Sequence, residues 1–236
     1  MTTFPRRFYR QVDHVSVDTG WQITLDGKVL RSPARADFVL PTRQLAEAIA
    51  VEWDAQQEHV LPHNMPMMQL ASTAVDRVAL NHDKVAAEIA GYAASDLVCY
   101  HADMPEELVR RQAQSWQPLV DWANHRFDTA LRATTGIVAI EQSADSLARF
   151  NQVAHALDSW RLTALASLTG STGSLIIALA VLDGHLNAEQ AALTAQLDEL
   201  FQAERWGEDA EAAQRRQALA RDVTDTAHFL SLLKPA

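Results

Sequence analysis

The chain has 236 residues, 48% of them hydrophobic, and a formal charge of −10. This length accommodates one large or two modest domains that hide roughly 70% of the unfolded surface. A mean hydropathy of −0.13 excludes a membrane protein, and only 8 Gly and 8 Pro exclude a disordered or collagenous chain. The 30 acidic residues against 20 basic ones repel phosphate backbones, so nucleic acid is not an expected partner.

One cysteine, Cys99, can form neither an internal disulfide nor a multi-thiolate metal site, which fits a reducing compartment. The longest wholly apolar run, Leu175 to Leu182, spans eight residues where a membrane helix needs about 20. No membrane insertion is expected. Arg6, Arg7 and Arg10 precede the first acid, Asp13, but no apolar segment follows them and the stretch runs into strand-like alternation. It is read as part of the folded protein and not as a targeting peptide.

In chain order, the first forty residues favour strands. Phe8 to Val12, Val15 to Val17, Trp21 to Leu25 and Lys28 to Leu30 are β-rich, and Asp26-Gly27 between the last two is a type I′ hairpin signal. Ser32-Pro33 interrupts, and Asp37 to Leu40 reads as another short strand. From Thr42, an N-cap, the period becomes helical through Leu45, Ile49 and Trp53. Pro62 and Pro66 interrupt before a helix marked by Leu70, Ala74, Val75 and Val78, and Asn81 is placed to cap the next. Asp96 to Tyr100 fits either a helix extension or a short strand.

Pro105, Glu106 and Glu107 start a long helix through Leu108, Trp116 and Trp122, with a kink expected at Pro118. Gly136 to Ile140 reads as an isolated strand. Helices follow over 143–157, 158–168 and 174–182. Asn187 with Gln190 forms a capping box for a helix ending at Trp206-Gly207, and a last helix runs to Leu233. The fold class is therefore α+β: a small N-terminal antiparallel β domain (1–40) followed by a larger all-helical domain (41–236). Deleting residues 1–40 is expected to leave a helical fragment that still folds.

The catalytic motifs fail in turn. His59 and His63 have zinc spacing, but Pro62 lies between them and no His-Glu-x-x-His occurs. Thr169 to Ser174 opens an apolar helix whose free amides could cradle an anion, yet no Lys completes a phosphate loop and no Gly-x-Ser-x-Gly is present. A small-ligand or anion-binding enzyme using this segment stays open beside a plain packing role. Cys99, followed by Tyr100 and His101, is read as a buried structural thiol. Trp53, Trp116 and Trp160 sit in apolar helical patterns and read as core. No catalytic residue, cofactor or metal site is expected.

The densest charge feature, Asp198, Glu199, Glu204, Glu208, Asp209 and Glu211, surrounds Trp206-Gly207. An aromatic and a helix-breaking glycine among acids make either a solvated helix end or a partner-binding rim, in which an apolar anchor is ringed by steering charges.

Several phrases together resemble one family: Arg7-Phe8-Tyr9, Leu25-Asp26-Gly27-Lys28, Leu40-Pro41-Thr42, Glu52-Trp53, Leu70 to Val78, Asp96 to Tyr100, Trp116-Gln117-Pro118-Leu119, Leu168 to Ser171 and Trp206-Gly207. Their order along nearly the whole chain is similar to that of the assembly chaperones of the F1-ATPase α subunit, the F1 complex assembly factor 2 family. The resemblance implies a β domain joined to a helical domain, no catalysis, and capture of the unassembled α subunit until the ATP synthase head forms. It also points to the acidic region for client binding, with Asp198, Trp206, Gly207, Glu208, Asp209 and Glu211 as candidate residues. Family members differ after the glycine, so each following carboxylate remains a candidate. His101 stands where the family pattern has an arginine. The implied location is cytoplasmic for a bacterial member, or the mitochondrial matrix for a trimmed eukaryotic form.

Overall fold

The computed structural model describes residues 4–136 and 139–234. Strands β1 (Val12–Val17), β2 (Gly20–Leu25) and β3 (Lys28–Val29) form an antiparallel sheet in that order. Asp26 and Gly27 both take positive φ, 49° and 76°, as the hairpin signal requires. The first strand starts later than the β-rich run suggests. The Arg10 and Gln11 amides donate to Asp26 Oδ1 at 3.0 and 2.9 Å, so they bind the turn and not a neighbouring strand. These amides, that of Gln11 foremost, hold the Asp26 carboxyl below its usual range. Residues 37–40 contribute only isolated bridges, Asp37 with Arg31 and Leu40 with Trp21. Leu40 and Trp21 exchange both backbone bonds beside Gly20, where an added Cβ would lie 2.3 Å from Leu40 O. Only glycine tolerates that approach at a φ of 149°.

Helix α1 (Arg43–Asp54) begins as expected, with Thr42 Oγ1 accepting from Leu45 N at 3.3 Å and burying Leu45, Ile49 and Trp53. Glu52 from α1 accepts the Met67 and Met68 amides at 2.7 and 2.8 Å and so caps α2 (Pro66–Thr73). α2 runs into a π turn, Ala74–Val78, and Asn81 then precedes α3 (His82–Ala90) without capping it. Its amide donates backwards to Arg77 O at 2.9 Å.

The ambiguous 96–100 segment is a 3₁₀ turn, Leu97–Cys99, leading into β4 (Tyr100–His101). The anticipated long helix is two, α4 (Glu106–Ser115) and α5 (Gln117–Phe127), broken at Trp116 because Pro118 belongs in a first turn, where its missing N–H costs nothing. β5 (Thr134–Thr135) pairs in parallel with β4. It lies ahead of the strand read at 136–140, where Ala139 and Ile140 are irregular and Ile137 and Val138 fall outside the described residues.

Then come α6 (Ala144–His155), α7 (Ser159–Thr172), α8 (Leu175–Leu182), α9 (Ala188–Ala195), α10 (Leu197–Trp206) and α11 (Ala210–Leu232). The Asn187–Gln190 capping box forms with both its bonds. Its helix divides at Gln196, whose buried amide donates to Arg216 O at 3.1 Å.

Two apolar cores result. One joins the sheet to α1 and α2 through Ile23, Phe38, Leu40, Leu45, Ile49, Trp53 and Met67, and takes in Ala164 of α7 and Phe229 of α11. The other gathers α3 and α5 to α9 around Trp116, Phe150, Leu165 and Ile176, and includes Val223 of α11. Thr42 Oγ1 also donates to Leu232 O at 2.6 Å, so the start of α1 meets the end of α11.

The shared first core changes what a deletion should do. Without residues 1–40, Leu45, Ile49 and Trp53 lose the sheet that covers them, so the fragment should aggregate or melt without cooperativity; calorimetry of the purified fragment checks this. Stability should also fall as pH rises from 5 to 8. Burial raises Glu52 to about 7 and Asp96 to about 6, above the ordinary values of 4.5 and 3.8. A carboxyl raised in the folded state stabilises fully below its unfolded value and loses that contribution as pH passes the folded one. Urea titrations across this range should show the decline, and Glu52→Gln should flatten its upper part.

Candidate functional site

Five of the six candidate residues lie where α10 turns into α11. Gly207, at φ 90°, closes α10 by donating from its amide to Ala203 O at 3.0 Å and turns the chain sharply. A residue with a Cβ would be strained there. Asp209 N-caps α11, its Oδ2 accepting from Ala212 N at 3.0 Å. Trp206, the last residue of α10, is left 74% exposed, so the packing role that suits Trp53 and Trp116 does not extend to it. A cleft of about 360 Å³ lies beside it, bounded by Glu199 and Gln202 on one helix and by Asp209 and Arg215 on the other.

Most of the carboxylates already have partners. Glu208 pairs with Arg216, whose side chain is only 8% exposed, and Glu211 pairs with Arg215 at 2.7 Å one turn along α11. Glu204 Oε2 accepts from Arg111 at 2.7 Å, and Arg111 also donates to Glu107 at 2.8 Å, which ties α10 to α4. Those bonds, Glu107's first, raise the Arg111 pKa, and Arg110 followed by Arg111 holds Glu107 below its usual range. Arg111 and Arg205 both lie over the Phe201 ring, at 5.3 and 4.7 Å from its centroid.

Trp206, Gly207, Glu208, Asp209 and Glu211 are thus brought together. Asp198 is not. It lies in the first turn of α10, roughly 12 Å along the axis from Trp206 at 1.5 Å per residue. There its Oδ1 accepts from the buried Gln112 at 2.6 Å, and Gln112 in turn accepts from Ala102 N. Arg216 and Gln112 are the residues that sequence reasoning missed. Both meet their partners across helix junctions, a relation that no local periodicity encodes.

The glycine-serine segment has a different fate. α7 continues to Thr172, and Ser174 caps α8 by accepting from Ile177 N at 3.0 Å. The place an anion would take is filled from within the chain. Asp96 Oδ2 accepts from Ile176 N at 3.1 Å, Ser174 Oγ donates to Asp96 Oδ1 at 2.5 Å, and Asp96 is wholly buried. His59 and His63 sit on an isolated bridge and in a 3₁₀ turn, so no helix face presents them together. Among the described residues no group of three or more His, Cys, Asp or Glu could hold a metal ion. Cys99 is buried, and desolvation followed by the nearby Asp96 charge pushes its thiol up to about 12, which keeps it protonated and unreactive.

These pairings separate two carboxylates that look alike in sequence. Glu208→Lys strands the buried Arg216 and should cost about 2 kcal/mol or more. Glu211→Lys disturbs only an exposed pair and should stay within about 0.5 kcal/mol. Denaturant unfolding of both variants measures the difference.

Residues 6–124 match the family described as ATP12 chaperone protein. The crystal structure of Atp12 from Paracoccus denitrificans is 40% identical, with a TM-score of 0.94 over 98% of this chain and 99% of that one. An Asp-to-Lys variant of the Paracoccus protein superposes equally well, with a TM-score of 0.94. The mitochondrial atp12 protein of Schizosaccharomyces pombe is 28% identical over 86% of this chain and 74% of its own length. Among the described residues no helix is long and apolar enough to cross a membrane. With a family match over residues 6–124 and its sheet and helical body in a fold shared with the Paracoccus structure over 98% of the chain, the chain belongs to the ATP12 chaperone family.

Proposed function

We propose that the protein is an ATP-independent assembly chaperone that binds the unassembled F1-ATPase α subunit and shields its subunit interface until the ATP synthase head forms. It performs no catalysis. The observation that carries the reading is Trp206, a large aromatic left 74% exposed at a helix junction in a chain of this family. A subunit interface is partly apolar and aggregates when uncovered, and a folded partner can cover it reversibly with an aromatic anchor inside a polar rim. The acids around Trp206 supply that rim and would steer a basic client surface.

The alternative of an anion-binding enzyme at residues 169–174 loses its physical basis, because Asp96 occupies the amides that a phosphate would need. Titration calorimetry with nucleotides and inorganic phosphate should therefore give no binding heat.

The direct test is capture of isolated F1 α subunit and suppression of its aggregation. Wild-type protein should do both. Trp206→Ala should weaken capture by about 2 kcal/mol, the threshold of an interface hot spot, with little change in melting temperature because the side chain is exposed. Glu211→Lys should slow association, most clearly at low salt. A wild-type protein that leaves α aggregation unchanged would refute the reading.

A further inference from the structure

A second surface, away from the Trp206 cleft's lining residues, has the form of a docking groove. It has a volume of about 330 Å³ and is floored by Thr163, Ala166, Ser167 and Gly170 of α7. These positions are spaced i, i+3, i+4 and i+7 and so form one small-residue face of that helix. Val78 of the π turn and Ile89 of α3 stand on its walls, and Tyr92 at its edge is 38% exposed. The volume lies at the bottom of the roughly 300–1,000 Å³ range of ligand pockets, and no convergent set of buried polar groups lines it. Two or three side-chain knobs of a packed helix fit it better than a cofactor does.

The charges around the groove say what kind of helix. Glu88 stands on one lip, and an adjoining recess that shares Leu70, Thr73 and Ser167 with the groove carries Asp222 and Asp225 of α11. None of these three carboxylates forms an ion pair among the described residues. Burial, followed by the Asp222 charge, raises the Asp225 pKa, with His228 and Arg221 opposing it in part. Among the described residues Arg77 is the one cation on the groove's lining.

We infer that this groove receives an amphipathic helix of the α-subunit client, its aliphatic face against α7 and its basic flank toward Glu88, Asp222 and Asp225. The inference rests on the client reading above and adds a second contact to it. Helix-in-groove recognition reads anchors at the same i, i+3/i+4, i+7 spacing that the α7 floor offers.

Gly170 provides the test. It lies within α7 on the groove's lining, and nothing stands within 4 Å of a Cβ built there, so the first carbon of a larger side chain meets open space. Gly170→Leu should keep or raise the melting temperature, since leucine favours helix over glycine, yet weaken capture of isolated α subunit about ten-fold or more. Gly170→Ala, which leaves the groove open, should capture α like the wild type. Glu88→Lys, on the exposed lip, should weaken capture by a factor that shrinks as salt is raised. Undiminished capture by Gly170→Leu, with Trp206→Ala impaired in the same assay, would overturn the groove and leave the client reading standing. No capture by wild-type protein would overturn both.

Discussion

The helical body is organised around one buried carboxylate. Asp96 sits at the start of α8, an eight-residue helix that is apolar on every side and almost entirely buried. Such a helix has no water at its first turn, so its free amides need a partner supplied by the protein. Asp96 supplies it from nearly eighty residues earlier in the chain, and it also accepts from Val98 N, which starts the turn that buries Cys99. One side chain thereby joins the α3–β4 connection to the centre of the second core. Removing it would leave several donors unsatisfied at once, the costliest kind of polar deletion.

Around that centre the molecule is held together by helices that belong to both cores. α11 places Val223 in one and Phe229 in the other, and α7 does the same with Leu165 and Ala164. The sheet is consequently not an appendage: its inner face is completed by α1, α2 and the far end of the chain. This geometry links the α10–α11 junction, through one continuous 23-residue helix, to the contact between Thr42 and Leu232.

The acidic junction shows how a surface can be charged without spending its stability on repulsion. Glu204, Glu208 and Glu211 each hold an arginine, and Asp209 and Asp198 satisfy an N-cap and a buried glutamine. Among the described residues Glu199 keeps no ion pair, and Trp206 is left largely exposed. The pairs tie α10 to α4 and hold the turn into α11, so the junction that carries the indole is braced by contacts on both helices.

Much of this was legible in the sequence. The Asp26-Gly27 hairpin, the Thr42 cap, the Asn187–Gln190 box and the fully apolar α8 follow from local chemistry, because turn dihedrals and caps are decided within a few residues. The acidic neighbourhood of Trp206 was likewise visible as composition. Long-range partners were not. That Glu208 holds a buried arginine while Glu211 pairs in solvent, that Asp198 faces Gln112, and that Asp96 fills the cradle at Ser174 are matters of which helices meet. Local pattern sets each helix and its apolar face. Only tertiary packing, which removes water from some polar groups and leaves it on others, decides which of two similar carboxylates holds a buried partner and which pairs in solvent.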